Sequence, residues 1–246
     1  MESTDIPFTK QMRKATREIH DVSDALVNAK LAVALSNNSV WAEGLLIFYE
    51  IFRYLEEAMD RLKDTPVGEL KFDGIRRTEG FKEDLDYYLG ENWALSYTPR
   101  ESVMKYLMHL RDLEASDPEM LMAYIYHLYM GLLSGGQILR RKRQIVDKYL
   151  PSFSSNNRSD KVTEFGEASI SQLKKQMTTA MNNIAESLTP EKREKLIEES
   201  KMVFILNNEI VRTVRGTHWV ILTKLIVAAI SVAMVSFAVN YALRKK

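Results

Sequence analysis

Arg13, Arg17, His20 and Asp24 recur at spacings of four, three and four. On a helix that period sets all four on one face. A basic group two turns from an imidazole suits an anionic ligand whose centre meets the ring. A solvated polar face has the same spacing, and that alternative stays open. The second cluster is Met130-Gly131-Leu132-Leu133-Ser134-Gly135-Gly136-Gln137-Ile138-Leu139. Each of its glycines costs a helix about 1 kcal/mol relative to Ala, and Gly131 and Gly135 stand four apart, on one face. A helix that sheds side chains there permits a kink, or a close backbone approach, over something flat. Close helix–helix packing accounts for the glycines equally well.

Other chemistries are excluded by what the chain lacks. It has no phosphate loop, no dinucleotide glycine motif and no His-Glu-x-x-His. It has no cysteine, hence no disulfide, thiolate ligand or cysteine nucleophile, which suits a reducing compartment. Only His20, His109, His127 and His218 are available, so the chemistry points to a bound cofactor. With Lys+Arg 34 against Asp+Glu 33, no overall field marks a nucleic-acid binder. Sequons at Asn37 and Asn157 matter only in a secreted chain, and residues near the N-terminus show no apolar run of a signal peptide.

These residues have to be carried by helices. The apolar fraction is 46%, and there are only 10 Gly and 6 Pro, a composition that favours an all-α fold. The patterning predicts helices over 8–35 (N-cap Thr9), 40–63 (opened by Ser39), 79–90, 98–114 (Pro99 at the first position), 117–149, 166–187 and 190–215 (opened by Thr189-Pro190). A turn-rich connection with Pro66, Gly68 and Gly74 covers 64–78, and a polar loop covers 151–161.

Together the two clusters carry a family resemblance. Lys14-Ala15-Thr16-Arg17-Glu18-Ile19-His20 is similar to the proximal-histidine helix of the heme oxygenases. Tyr129-Met130-Gly131 and Leu133-Ser134-Gly135-Gly136-Gln137 resemble their distal helix. Tyr97-Thr98-Pro99 and Phe204-Ile205-Leu206-Asn207 match further segments, and the pattern is most like that of insect members. The resemblance implies heme between the two helices, with His20 as the iron ligand, Arg13 and Lys174 (or Lys175) near propionates, Asp24 on the proximal side, and Phe204 and Asn207 as further cofactor contacts. The backbone at Gly131 and Gly135 would lie over bound dioxygen. It also implies the reaction: heme is both cofactor and substrate, a ring meso carbon is oxidised, and biliverdin, carbon monoxide and ferrous iron are released. Electrons come from NADPH through a membrane-bound cytochrome reductase.

The chain departs from that pattern where the family places proton delivery. The aspartate after the first glycine is Leu132, and the arginine three residues before that glycine is Leu128. Tyr129 and Tyr97 remain as candidate donors, and Phe52 stands where a further tyrosine is expected. Thr178 replaces a propionate-side arginine, with two extra residues in the 178–188 region. Arg140-Arg141-Lys142-Arg143 is either a docking or propionate cluster or a solvated face.

The C-terminal part reads differently. Leu225 to Leu243 carries no charged residue and ends in Arg244, Lys245 and Lys246. About twenty apolar residues span a bilayer, so this is expected to be a membrane anchor (218–246) behind a cytosol-facing domain (1–217), a buried core helix being the competing reading. Basic residues flank both sides, so charge does not set orientation. Gly216-Thr217-His218 makes a short tether that holds the domain near the bilayer, of the endoplasmic reticulum or the mitochondrial outer membrane. Two other functions compete with the oxygenase: a heme-binding sensor or carrier that has lost catalysis, suggested by Leu128 and Leu132, and a helical adaptor without heme.

Overall fold

The computed structural model describes residues 6–35, 37–149, 159–216 and residue 234. Among the described residues there are helices, turns and no strand, so the all-α expectation holds. The stretch expected as one helix from 8 to 35 is two, α1 (Phe8–Ala15) and α2 (Arg17–Ala34). Thr16 makes the seam. Its φ and ψ are −97° and 0°, and its hydroxyl donates to the Met12 carbonyl at 2.9 Å, a back-bonding that bends helices. The amides of Thr16 and His20 still bond four residues back, at 3.0 and 2.9 Å, so the helical phase carries across the bend. Pro7, not Thr9, occupies the cap position of α1. Thr9 is buried, and its amide donates to Asn182 Oδ1 at 3.0 Å, which ties α1 to α9 (Ile170–Ser187).

α3 (Asn38–Arg61) starts earlier than expected. The cap is Asn37, whose Oδ1 accepts from the Val40 amide at 3.1 Å and the Ser39 hydroxyl at 2.7 Å, so Ser39 lies inside the first turn. α4 (Thr78–Leu89) stops at Gly90, whose φ of +89° is a conformation a side chain would strain. A short α5 (Trp93–Ser96) precedes α6 (Glu101–Ser116), which begins after Arg100 rather than at Pro99. The expected 117–149 helix is divided into α7 (Leu121–Gly131), a π-helical turn over Leu132–Gly136, and α8 (Gln137–Tyr149). α10 (Pro190–Arg212) opens as expected: Thr189 Oγ1 accepts from the Lys192 amide at 3.3 Å.

α3 packs against α2, α4 and α6, and α10 packs against α1, α2, α6 and α7. Met12, Ile51, Leu55, Tyr124 and Val203 are fully buried between them, which supplies the apolar burial that holds the bundle together. α2 and α7 therefore share α10 as a common support. No helix of the described residues is long and apolar enough to cross a membrane. The expected span at 225–243, apart from Met234, lies outside the described residues, as do Thr217, His218 and residues 151–158 of the polar loop.

Candidate functional site

On α2, His20 presents a side chain that is 51% exposed, with its Nδ1 3.4 Å from Asp24 Oδ2. The two residues, set on one face by their spacing, meet one helical turn apart. Such a partner orients an imidazole and leaves the other ring nitrogen for a metal. The ring also meets Phe204 of α10, edge-on, with centroids 5.3 Å apart. Phe204 also touches His127 of α7, at 5.1 Å. α10 therefore carries the ring that links the two helices the sequence singled out.

His127 was not among the expected site residues. Its Nε2 is out of reach of solvent and has no hydrogen-bond partner. Burial, and secondarily the nearby His20, push its pKa down to about 3, so the ring is neutral in the folded protein near pH 7. An unfolded histidine titrates near 6.5. The contribution of this ring to stability is therefore full above pH 6.5 and is lost as pH falls from there towards 3, because the unfolded chain then binds the extra proton. Unfolding titrations of the heme-free protein should show that loss, and His127→Phe should flatten it. The signal that could have found His127 was its position four before Gly131.

The three glycines divide into two roles. A Cβ placed on Gly136 would lie 3.0 Å from Leu132 Cδ1 and 3.4 Å from Thr163 Cγ2, so Gly136 answers to close packing. At Gly131 and Gly135 a Cβ meets nothing within 4 Å. Helix packing does not explain those two, and the open space beside them is a cradle that side chains would fill. Gly131→Leu is accordingly expected to leave the melting temperature within about 3 °C of wild type, a change of order 1 kcal/mol. It should weaken binding of hemin by at least about 100-fold, because the added side chain takes the space left open on the glycine face. Calorimetry and a Soret titration on one preparation check both parts.

Earlier on α7, burial raises the Tyr126 hydroxyl pKa, and Thr9, Thr178 and Arg13 stand close enough to lower it in part. Arg13 is exposed on α1, and half-buried Lys174 lies one turn before Thr178 on α9. This gathers the expected anion-binding residues Arg13 and Lys174 on the two helices that flank Tyr126. Tyr126 was another residue the sequence did not reveal.

Other expected residues are placed elsewhere. Tyr129 is fully buried, and its hydroxyl donates to Glu56 Oε1 at 2.9 Å. Glu56 also accepts from the amides of Arg77 and Thr78 and from Arg76 Nε at 3.3 Å, and Phe52 packs on the Tyr129 ring at 5.1 Å. Tyr97 donates to the Leu46 carbonyl at 3.1 Å and packs on Trp93. Burial raises the pKa of both phenols. Both candidate donor hydroxyls thus donate to acceptors inside the framework. Asn207 accepts from the Tyr106 hydroxyl at 3.2 Å. The basic run divides: Arg143 is buried over the Trp41 ring at 3.8 Å, Arg140 is 3.8 Å from Glu164, and Arg141 and Lys142 are exposed. Leu128 is buried and Leu132 half-buried against Gly136, so this part of the distal helix is apolar.

Among the described residues no group of three metal-ligating side chains forms a site. The comparisons point to one family. Heme oxygenase 1 of Bos taurus is 29% identical over 217 residues, covering 85% of this chain and 72% of that protein. Heme oxygenase 2 of Oryctolagus cuniculus is 31% identical over 209 residues, covering 82% and 64%. Among solved structures, heme oxygenase 2 of Chlamydomonas reinhardtii, solved without heme, superposes with a TM-score of 0.76 at 29% identity, covering 85% of this chain and 98% of that one. Heme oxygenase-1 of the cyanobacterium Synechocystis, solved in complex with heme, shares the fold with a TM-score of 0.78 at 23% identity, covering 92% and 100%. The heme oxygenase family model matches residues 6–213, the span that holds every described helix of the site, and the chain belongs to the heme oxygenase family.

Proposed function

We propose that this protein is a heme oxygenase that opens heme to biliverdin, carbon monoxide and ferrous iron, with dioxygen and electrons from an NADPH-dependent cytochrome reductase. The observation that carries the reading is the cradle at Gly131 and Gly135, on the helix joined through Phe204 to the helix of His20. Heme, when bound there, supplies the redox-active iron and the ring to be oxidised. His20 holds it from the α2 side, with Asp24 fixing the imidazole. Arg13 and Lys174 offer positive charge to its carboxylates. The glycine face keeps the opposite side clear of side chains. Leu128 and Leu132 exclude water where relatives of this family deliver protons, so steering of the reaction has to come from shape.

The membrane reading supports the choice of electron donor. The exit of α10 is held by Arg100 Nη1, which donates to the Thr213 carbonyl at 2.6 Å, and by Lys30 Nζ, which donates to the Val214 carbonyl at 3.3 Å. An anchor at 225–243 would therefore start from a fixed point and keep the site at the cytosolic face of a membrane, the endoplasmic reticulum for preference, beside a membrane-bound reductase.

Aerobic turnover of the detergent-solubilised full chain with hemin, reductase, NADPH and catalase tests the proposal, followed by separation of biliverdin isomers. Catalase-resistant biliverdin is expected, as a mixture of isomers because no carboxylate selects one proton path. The apolar pair Leu128 and Leu132 favours a second reading, a heme-binding sensor or carrier. Heme that stays intact under these conditions would establish that reading and remove the first.

A further inference from the structure

The proposed function leaves His127 without a role, yet its Nε2 is a buried nitrogen lacking any partner. Buried polar groups are nearly always paired, and an orphan calls for an explanation. His127 and His20 both rest on Phe204, with ring centroids 5.1 and 5.3 Å from it. The two imidazoles are thus no further apart than those distances combined, within the breadth of one porphyrin. His127 also starts the stripe that continues through Gly131 and Gly135, where side chains leave room.

We propose that His127 is a second imidazole ligand for the heme iron, taking the metal when His20 is missing or withdrawn. This rests on the proposed heme site. In the exchange the bond from iron to the His20 nitrogen breaks and one to His127 Nε2 forms. Each nitrogen keeps its own electron pair and no proton or electron is transferred. Asp24 orients His20, and a metal-bound histidine gains from such a partner, so His20 prevails in the intact protein and His127 acts in reserve.

The test uses the detergent-solubilised full chain loaded with heme, reduced and exposed to nitric oxide. Paramagnetic resonance then shows whether a protein nitrogen lies opposite the bound gas, by the extra hyperfine splitting it adds. Wild type and His20→Ala are both expected to show that splitting, and the double variant His20→Ala/His127→Ala to lose it, with heme affinity at least about tenfold weaker than in His20→Ala. If His20→Ala lacks the splitting, or if the double variant retains it, the proposal is overturned. His127→Leu, of similar volume, replaces His127→Ala in the same comparison should circular dichroism show unfolding. A wild-type protein that binds no heme at all would instead refute the proposed function, which separates the two failures.

Discussion

His20→Ala is expected to lower reductase-driven biliverdin formation by at least about 100-fold while the protein stays folded. Loss of groups that merely support a metal ligand costs 10–100-fold in affinity or activity, and loss of the ligand should cost no less. The side chain is half exposed, and its internal contacts are the Asp24 pair and the edge of Phe204. Exposed pairs of that kind contribute at most about 1 kcal/mol. The melting temperature should therefore fall by no more than about 4 °C for a chain of this size. Bound heme is expected to remain visible through its Soret band, with the altered ligation described above. Wild-type rates in this variant would remove His20 from the mechanism.

Glu56→Ala should have the opposite profile. Glu56 lies almost wholly buried and accepts from the Tyr129 hydroxyl, the Arg77 and Thr78 amides and Arg76. The carboxylate joins α3, the start of α4 and α7 at a single point. Removing it leaves a phenol and amide groups without an acceptor, a loss of about 3–5 kcal/mol. The melting temperature should fall by roughly 6–20 °C, and heme affinity should weaken only as α7 loosens. Glu56→Gln keeps one acceptor oxygen but turns an amide towards donors, so an intermediate loss is expected. A drop of less than about 1 kcal/mol in chemical unfolding would show that these bonds are replaced by others.

That His20 and Asp24 share one face was legible because helical spacing alone sets it, and the structure keeps that phase through Thr16. The glycine stripe was legible as an anomaly, but its meaning was not. Only the positions of neighbouring atoms separate Gly131 and Gly135, which face open space, from Gly136, which is packed. His127 escaped notice because its place four before Gly131 is equally that of a satisfied core histidine, and only neighbouring atoms show that its Nε2 lacks a partner. Tyr129 and Tyr97 looked like free donors for the same reason. Their acceptors, Glu56 and the Leu46 carbonyl, lie 73 and 51 residues away along the chain. Helix boundaries shifted where side chains found better caps, as Asn37 did ahead of Ser39.

The π-helical turn over Leu132–Gly136 has a bearing on how this gene can change over time. A π turn holds one residue more than an α turn of the same rise, and it arises and disappears by single-codon insertion or deletion. Losing one of these five residues would restore α pitch and leave the helix beyond in phase. Arg143 would then keep its seat over Trp41, where its guanidinium is 3.8 Å from the ring centre. A change of length by one residue is thus tolerated by the packing beyond this turn, as substitution is at exposed Ser134, and what such a deletion would remove is the widened backbone beside Gly135.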